Sequence, residues 1–287
     1  MILRRLATRS WRKRMWKFRP PEPSPILTEW SERPDLARRR AFLRAHILIH
    51  THVPKTAGST ISAGLSAIVG GTHTLDMRLK RSVPIASLTE EDKADIHLIS
   101  GHFEFGMHEV FQRKPLYIAA VREPVERAVS GYRFLVGNTG HEDHRFVEDR
   151  DFEEAWHAQE AHYGTSRHNH QSKMLMGGDP NIPVRAEDLW QRVEDAYFLV
   201  IPSSRVNHAL QHLRAAFGVA WSRIIPQNIS RSDQVDPSDD MRRKILEINA
   251  LDAELYQRAE RDFDASLKRA CDYVASHCLL PLKDSPD

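Results

Sequence analysis

The sequence predicts an α/β fold, three layers deep, with a central parallel sheet flanked by helices, and three observations predict it. Short apolar runs of strand type recur at Ile47-Leu48-Ile49, Ile96-His97-Leu98-Ile99, Leu116-Tyr117-Ile118-Ala119-Ala120-Val121 and Tyr197-Phe198-Leu199-Val200-Ile201. Segments with apolar residues at helical spacing alternate with them, the pattern of strands joined by crossover helices. Two of the strand-to-helix junctions carry residue types that bind anions. At 287 residues the chain is long enough for one large domain of this kind with a packed core.

The first 44 residues read as an accessory arm. They hold 13 Lys/Arg against 4 Asp/Glu, leaving 28 and 35 for the rest, so a formal net charge of +2 conceals a basic arm on an acidic body. Arg4, Arg5, Arg9, Arg12, Lys13, Arg14, Lys17 and Arg19 surround Trp11, Trp16 and Phe18, and Pro20, Pro21, Pro23 and Pro25 then block a continuing helix. Such a segment is either a solvated arm or a contact for an anionic surface. Residues 45–281 form the α/β domain and 282–287 a tail. No apolar run approaches the roughly 18 residues of a membrane span, and the basic start lacks the apolar core of a secretion signal. A cytoplasmic protein is expected.

The first junction runs from Ile47 to Ile61. The strand is cut by Pro54, passes through Lys55, Thr56, Ala57, Gly58, Ser59 and Thr60, and becomes a helix marked by Ile61, Leu65, Ile68 and Val69. The first turn of a helix offers unpaired N–H groups and the positive end of its dipole, which favour a phosphate or sulfate. Lys55 adds a mobile cation, and the small residues let an anion approach the backbone. The nucleoside-triphosphate loop G-x-x-x-x-G-K-[ST] is not matched, because Lys55 precedes the only glycine. Taken alone, the stretch reads equally as a plain turn with an exposed lysine.

Gly70-Gly71 ends that helix, and a polar connection with a helical piece at Thr89–Ala94 leads to the second strand. This strand delivers His102 and Glu104 at its carboxyl end, where open parallel sheets bind ligands. At the second anion junction, Arg122-Glu123-Pro124 closes the clearest buried strand, and the following helix carries Val125, Val129 and Tyr132 on one side. Arg122 at the strand end and Ser130 two turns along the helix offer a guanidinium and a hydroxyl to one phosphate. Arg122 is equally spaced to pair with Glu126, and Ser130 to be a small packing residue.

From Gly137 to His170 the chain is polar and holds His141, His144, His157, His162, His168 and His170. No H-E-x-x-H or C-x-x-C pattern accompanies them, so no metal is expected. Helices are expected over Asp151–Tyr163 and Ser166–Met176, and the block reads as part of an acceptor wall. A helix with Val206, Leu210, Leu213 and Phe217 on one stripe follows the last strand. The polar loop Pro226–Ser232 carries Arg231, and Met241 through Leu267 mark one long amphipathic helix. Cys271 and Cys278 are the only cysteines. On one helix they would stand roughly 10 Å apart, too far for a disulfide, and they read as free thiols of a reducing compartment.

With both junctions in view, the sequence resembles the 3′-phosphoadenosine 5′-phosphosulfate (PAPS)-dependent sulfotransferases, and among them the carbohydrate group that includes the uronosyl 2-O-enzymes. His52-Val53-Pro54-Lys55-Thr56-Ala57-Gly58-Ser59-Thr60 is similar to the 5′-phosphosulfate loop, and Val121-Arg122-Glu123-Pro124-Val125-Glu126-Arg127-Ala128-Val129-Ser130 to the 3′-phosphate element. Weaker similarity at Asn169–Leu175 and Asn249–Tyr256 extends the match over roughly residues 46–265. Ser100-Gly101-His102 resembles the place where 2-O-sulfotransferases carry a His-Gly-His pair, with Ser100 in place of the first histidine.

The resemblance implies a P-loop-like fold that binds PAPS and releases 3′,5′-ADP, with no metal and a carbohydrate hydroxyl as acceptor; no nucleic acid is expected. It implies nucleotide contacts from Lys55, the loop residues 56–60, Arg122, Ser130 and Arg231. Lys55 would stabilise the departing 5′-phosphate, and His102 would be the general base, with Glu104 as substitute. Two other readings stand beside it. One is a P-loop kinase or nucleotide hydrolase, disfavoured because no apolar run ends in a magnesium-binding aspartate. The other is a non-catalytic glycan-binding relative, motivated by Ser100.

Overall fold

The computed structural model describes residues 30–77, 85–179, 182–219 and 235–281. The chain begins with strand β1 (Trp30–Pro34), helix α1 (Leu36–Ala45) and strand β2 (His46–Thr51). Then come α2 (Gly58–Val69), β3 (Thr74–Asp76), α3 (Glu90–Asp95), β4 (Leu98–Gly101), β5 (Lys114–Val121) and α4 (Pro124–Val136). The polar block supplies α5 (Phe152–Tyr163) and α6 (His170–Met176). After α7 (Ala186–Ala196), β6 (Tyr197–Pro202) and α8 (Val206–Ala216), the chain ends its described part with α9 (Asp239–Ile248), α10 (Ala250–Cys278) and β7 (Leu279–Pro281).

Five strands form one parallel sheet in the order β3-β4-β2-β5-β6, and β1 pairs antiparallel with β7 apart from it. The apolar runs do not alternate with polar residues because both faces are covered. Leu48, Leu116 and Ile118 pack with Ile61, Leu65, Leu210, Leu213, Phe263 and Leu267 on one side. Ile47, Ile49, Tyr117, Ala119 and Val121 pack with Leu175, Leu189 and Leu255 on the other. Burying each large apolar side chain contributes about 1.5–3 kcal/mol, which is why β2 and β5 form the centre.

The winding decides where ligands can bind. After β2 the chain builds β3 and β4 on one side, then crosses to β5 and β6 on the other, so its direction reverses at β2. Thr51 stands level with Gly101 on β4 and with Ala119 on β5. The loops that follow β2, β4 and β5 therefore leave from one rim.

Several boundaries differ from the sequence reading. The folded body begins upstream of residue 45: Asp35 caps α1, and Phe42 and Leu43 are buried in the main core. The run of arginines hides this, because their charge reads as a solvated face, whereas Arg38 and Arg39 are half-buried and bond the carbonyls of Ser276 and Ile68. The connection before the second strand contains β3. The segment expected as a helix from Ser166 holds a 3₁₀ turn and then α6. The long C-terminal helix is two, broken at Asn249. Cys271 and Cys278 are both buried, free thiols in α10. Among the described residues no helix is long and apolar enough to cross a membrane.

Candidate functional site: a cationic rim beside a cavity

The loop between β2 and α2 is held in a strained shape. Lys55 and Ala57 both adopt left-handed backbone angles, φ 70° and 66°, at a cost of order 1–3 kcal/mol each for non-glycine residues. The Thr56 hydroxyl donates to the Val53 carbonyl at 2.9 Å and ties the loop to the strand end. Ala57 is the N-cap of α2 and makes no side-chain cap bond; its carbonyl instead accepts from the Thr60 N–H at 3.0 Å, and the positive end of the helix faces the loop. Gly58 is needed for a reason the sequence does not show. A β-carbon there would lie 1.9 Å from Cδ2 of His52, so a neighbouring ring dictates the glycine as much as any anion would.

Lys55 and Arg122 meet at this rim. Arg122 Nη1 donates to the Lys55 carbonyl at 3.5 Å, and its Nε pairs with Glu126 at 3.2 Å. The Lys55 ammonium lies 4.0 Å from the centre of the Phe134 ring. Burial and then the charge of Arg122 lower its pKa to about 8, because both disfavour a second buried cation. α4 starts where it does because Glu123 caps it and Pro124 occupies its first turn. Ser130, half-buried, shares the Glu126 face of this helix one turn further on. Arg231 lies outside the described residues.

At the end of β4, His102 Nδ1–H donates to the His52 carbonyl at 2.7 Å. A carbonyl can only accept, so the proton sits on Nδ1 and Nε2 is the atom able to take another. The His52 ring stacks on His50, 5.3 Å away, and meets the tilted ring of His102 at 4.4 Å. Ser100 is fully buried and bonds His50 Nδ1 at 2.8 Å and the Ser62 hydroxyl at 2.7 Å. His50 is the cross-strand neighbour of Ser100, so an imidazole does stand beside this position, supplied by β2 instead of β4. Glu104 is half-buried, and burial together with Asp179 raises its pKa.

Beside Lys55 opens a cavity of about 330 Å³ lined by Arg127, Tyr132, Trp156, Arg167 and His170 among others. Helix α5 and the turns before and after it form one wall, drawn from the polar block. Arg167 is spent on Asp143, at 2.8 Å, and lies over the Tyr163 ring; His168 pairs with Glu160. Arg127 differs: its buried Nε has no hydrogen-bond partner among the described residues, and burial lowers its pKa. Burial and the charges of Arg127 and Arg167 push His170 down to about 3, which keeps it neutral. Among the described residues no group of three or more His, Cys, Asp or Glu is placed to hold a metal ion.

Sequence reasoning placed Lys55, His102 and Arg122 at strand ends, and the sheet brings those ends to one rim. It assigned no role to Gln171, although the segment containing it was singled out. Gln171 is fully buried. Its Oε1 accepts from the Arg122 N–H and its Nε2 donates to the Arg122 carbonyl, both at 2.8 Å. Phe134 and Arg127 were missed as well, because only the folded helix shows which of its residues face the loop. The chain matches no model of a known protein family and no curated protein.

Proposed function

We propose that the protein transfers a sulfuryl group from PAPS to a hydroxyl of a carbohydrate acceptor. The observation that carries this reading is the contact between Lys55 and Arg122 at the adjacent ends of β2 and β5. A nucleotide with phosphate groups at both its 5′ and 3′ positions needs two cationic cradles within one ligand's length, and these two residues supply them. PAPS brings an activated sulfuryl group, and transfer joins sulfur to the acceptor oxygen while the bond to the 5′-phosphate breaks, leaving 3′,5′-ADP.

The residues divide the work by chemistry. Lys55 and the first-turn amides of α2 face the 5′ side and stabilise charge that develops as the phosphate departs. Arg122 and Ser130 hold the 3′-phosphate. His102 takes the hydroxyl proton at Nε2, the atom left able to accept it by the bond from Nδ1 to His52. Glu104 is the substitute base, its raised pKa suiting it to accept a proton. The cavity beside Lys55 takes the acceptor, with Tyr132 and Trp156 as faces for a sugar ring.

Thermal shift with 3′,5′-ADP, compared with ATP plus magnesium, tests the reading. Stabilisation by 3′,5′-ADP alone is the expected result. Stabilisation by ATP and magnesium alone would replace this reading with a kinase or hydrolase. Release of 3′,5′-ADP from PAPS over a panel of glycans then separates an enzyme from a glycan-binding relative that has lost turnover.

A further inference from the structure

We infer that Gln171 is a positioning residue for the 3′-phosphate, holding Arg122 in place through both of its backbone groups. The inference rests on the reading of Arg122 as the 3′-phosphate ligand and adds the residue that makes Arg122 competent. Arg122 follows the last paired residue of β5, since Val121 stands level with Pro202 on β6. Beyond that point the sheet gives Arg122 no strand partner. The Gln171 amide takes the strand's place, accepting from the N–H and donating to the carbonyl at 2.8 Å each. One side chain thereby fixes both peptide planes that flank the Arg122 α-carbon, and with them the direction in which the guanidinium leaves the rim.

Gln171 is itself immobilised by the start of α10. The fully buried carboxylate of Asp252 accepts from the backbone N–H of Gln171 at 3.1 Å and from the N–H and hydroxyl of Ser172 at 2.8 and 2.6 Å. In return, the Asn169 side chain accepts from the N–H groups of Leu251 and Asp252 at 2.9 and 3.1 Å. Asn249 accepts from the Asn169 N–H at 3.0 Å. Helices α6 and α10 thus satisfy each other's first-turn donors, and a shift of α6 would carry Gln171 away from Arg122. A buried, fully bonded network of this kind holds one arrangement.

The test uses the full chain and two ligands that differ only in the 3′-phosphate, 3′,5′-ADP and 5′-AMP, with Kd measured by calorimetry. Gln171→Met keeps the volume and removes both bonds. The expected result is a loss on the order of tenfold in affinity for 3′,5′-ADP, the equivalent of one well-made hydrogen bond, with 5′-AMP binding changed less than twofold. A role in packing alone would lower both affinities together or neither, and either result overturns the inference. Gln171→Asn keeps the amide but falls one carbon short, and gives the same comparison should the methionine variant fail to fold. If the wild-type protein binds 3′,5′-ADP and 5′-AMP equally, the 3′-phosphate reading of Arg122 fails and the positioning role falls with it. A wild-type preference that survives Gln171→Met overturns the positioning role alone.

Discussion

The His52 ring occupies the space that a β-carbon on Gly58 would need: the two would stand 1.9 Å apart. His52 in turn accepts at its carbonyl from His102 and lies against that ring at 4.4 Å. The anion loop and the candidate base are therefore coupled through one residue. Gly58→Ala must push His52 aside, and overpacking of this kind costs about 1–3 kcal/mol. The variant should melt earlier and bind 3′,5′-ADP at least tenfold more weakly, because the displaced ring disturbs the first turn of α2. An alanine variant with wild-type affinity would show that the loop tolerates movement of His52.

Lys55 gives a pH signature. With its pKa at about 8 in the unliganded protein, it is charged at pH 7 and loses its proton as the pH rises. A bound anion favours the charged form, so binding above pH 8 must bring a proton with it. Affinity for 3′,5′-ADP should then fall with a slope approaching tenfold per pH unit between about pH 8 and 10. Phosphate ionisation, near pH 6, lies outside this window. Lys55→Arg keeps the charge throughout and should flatten the profile. Calorimetry from pH 7.5 to 9.5 on both proteins decides it; a flat wild-type curve would remove Lys55 from the contact set.

Glu126 competes for Arg122. Their bond at 3.2 Å joins a guanidinium that is 30% exposed to a carboxylate that is 62% exposed, and such a pair adds little to stability. A phosphate arriving at Arg122 meets that carboxylate as a like charge. Glu126→Gln should leave the melting temperature nearly unchanged and tighten 3′,5′-ADP binding by about two- to fivefold. Weaker binding in this variant would mean that Glu126 helps to aim Arg122.

His102 is assigned to proton transfer alone, so its removal should separate binding from turnover. His102→Asn should bind 3′,5′-ADP within twofold of wild type. Its transfer rate should fall by about 10²–10⁴. Product release measured at saturating PAPS distinguishes the two effects. Full turnover in this variant would move the role of base to Glu104, and Glu104→Gln would then become the inactive protein.

How much of this was legible follows from where each constraint originates. β5 could be read directly because burial on both faces demands an unbroken apolar run, and Lys55 and Arg122 because strand, loop and helix are contiguous in sequence. β3 is three half-buried residues, Thr74–Asp76, too short to leave a period. The break at Asn249 left no trace in the sequence, because the residue that bonds Asn249 and the first-turn amides of α10 lies 80 residues away, at Asn169. Gln171 is hidden for the same reason: inside a short helix it reads as any polar residue until the fold places it against Arg122. Ser100 stands where the resemblance expects a histidine, and the sequence could not show that its side chain is fully buried and bonded to His50 and Ser62.

Acid should destabilise the protein through two histidines held neutral. His170 titrates at about 3 in the folded chain, chiefly through burial and then through Arg127 and Arg167; His97 titrates at about 4, chiefly through burial and then through His73 and Arg113. Both take up protons near pH 6.5 once unfolded. Above that value neither state binds the extra proton, and the stability from keeping them neutral is fully present. As the pH falls from about 6.5 toward 4, the unfolded state alone gains protons, so unfolding becomes easier by up to a factor of ten per pH unit for each histidine. Denaturant unfolding at pH 7.5, 6.0 and 5.0 should show this loss. His170→Asn carries no titrating ring and should reduce the slope by up to one proton, whereas an unchanged slope would place the acid sensitivity in groups other than the cavity histidine.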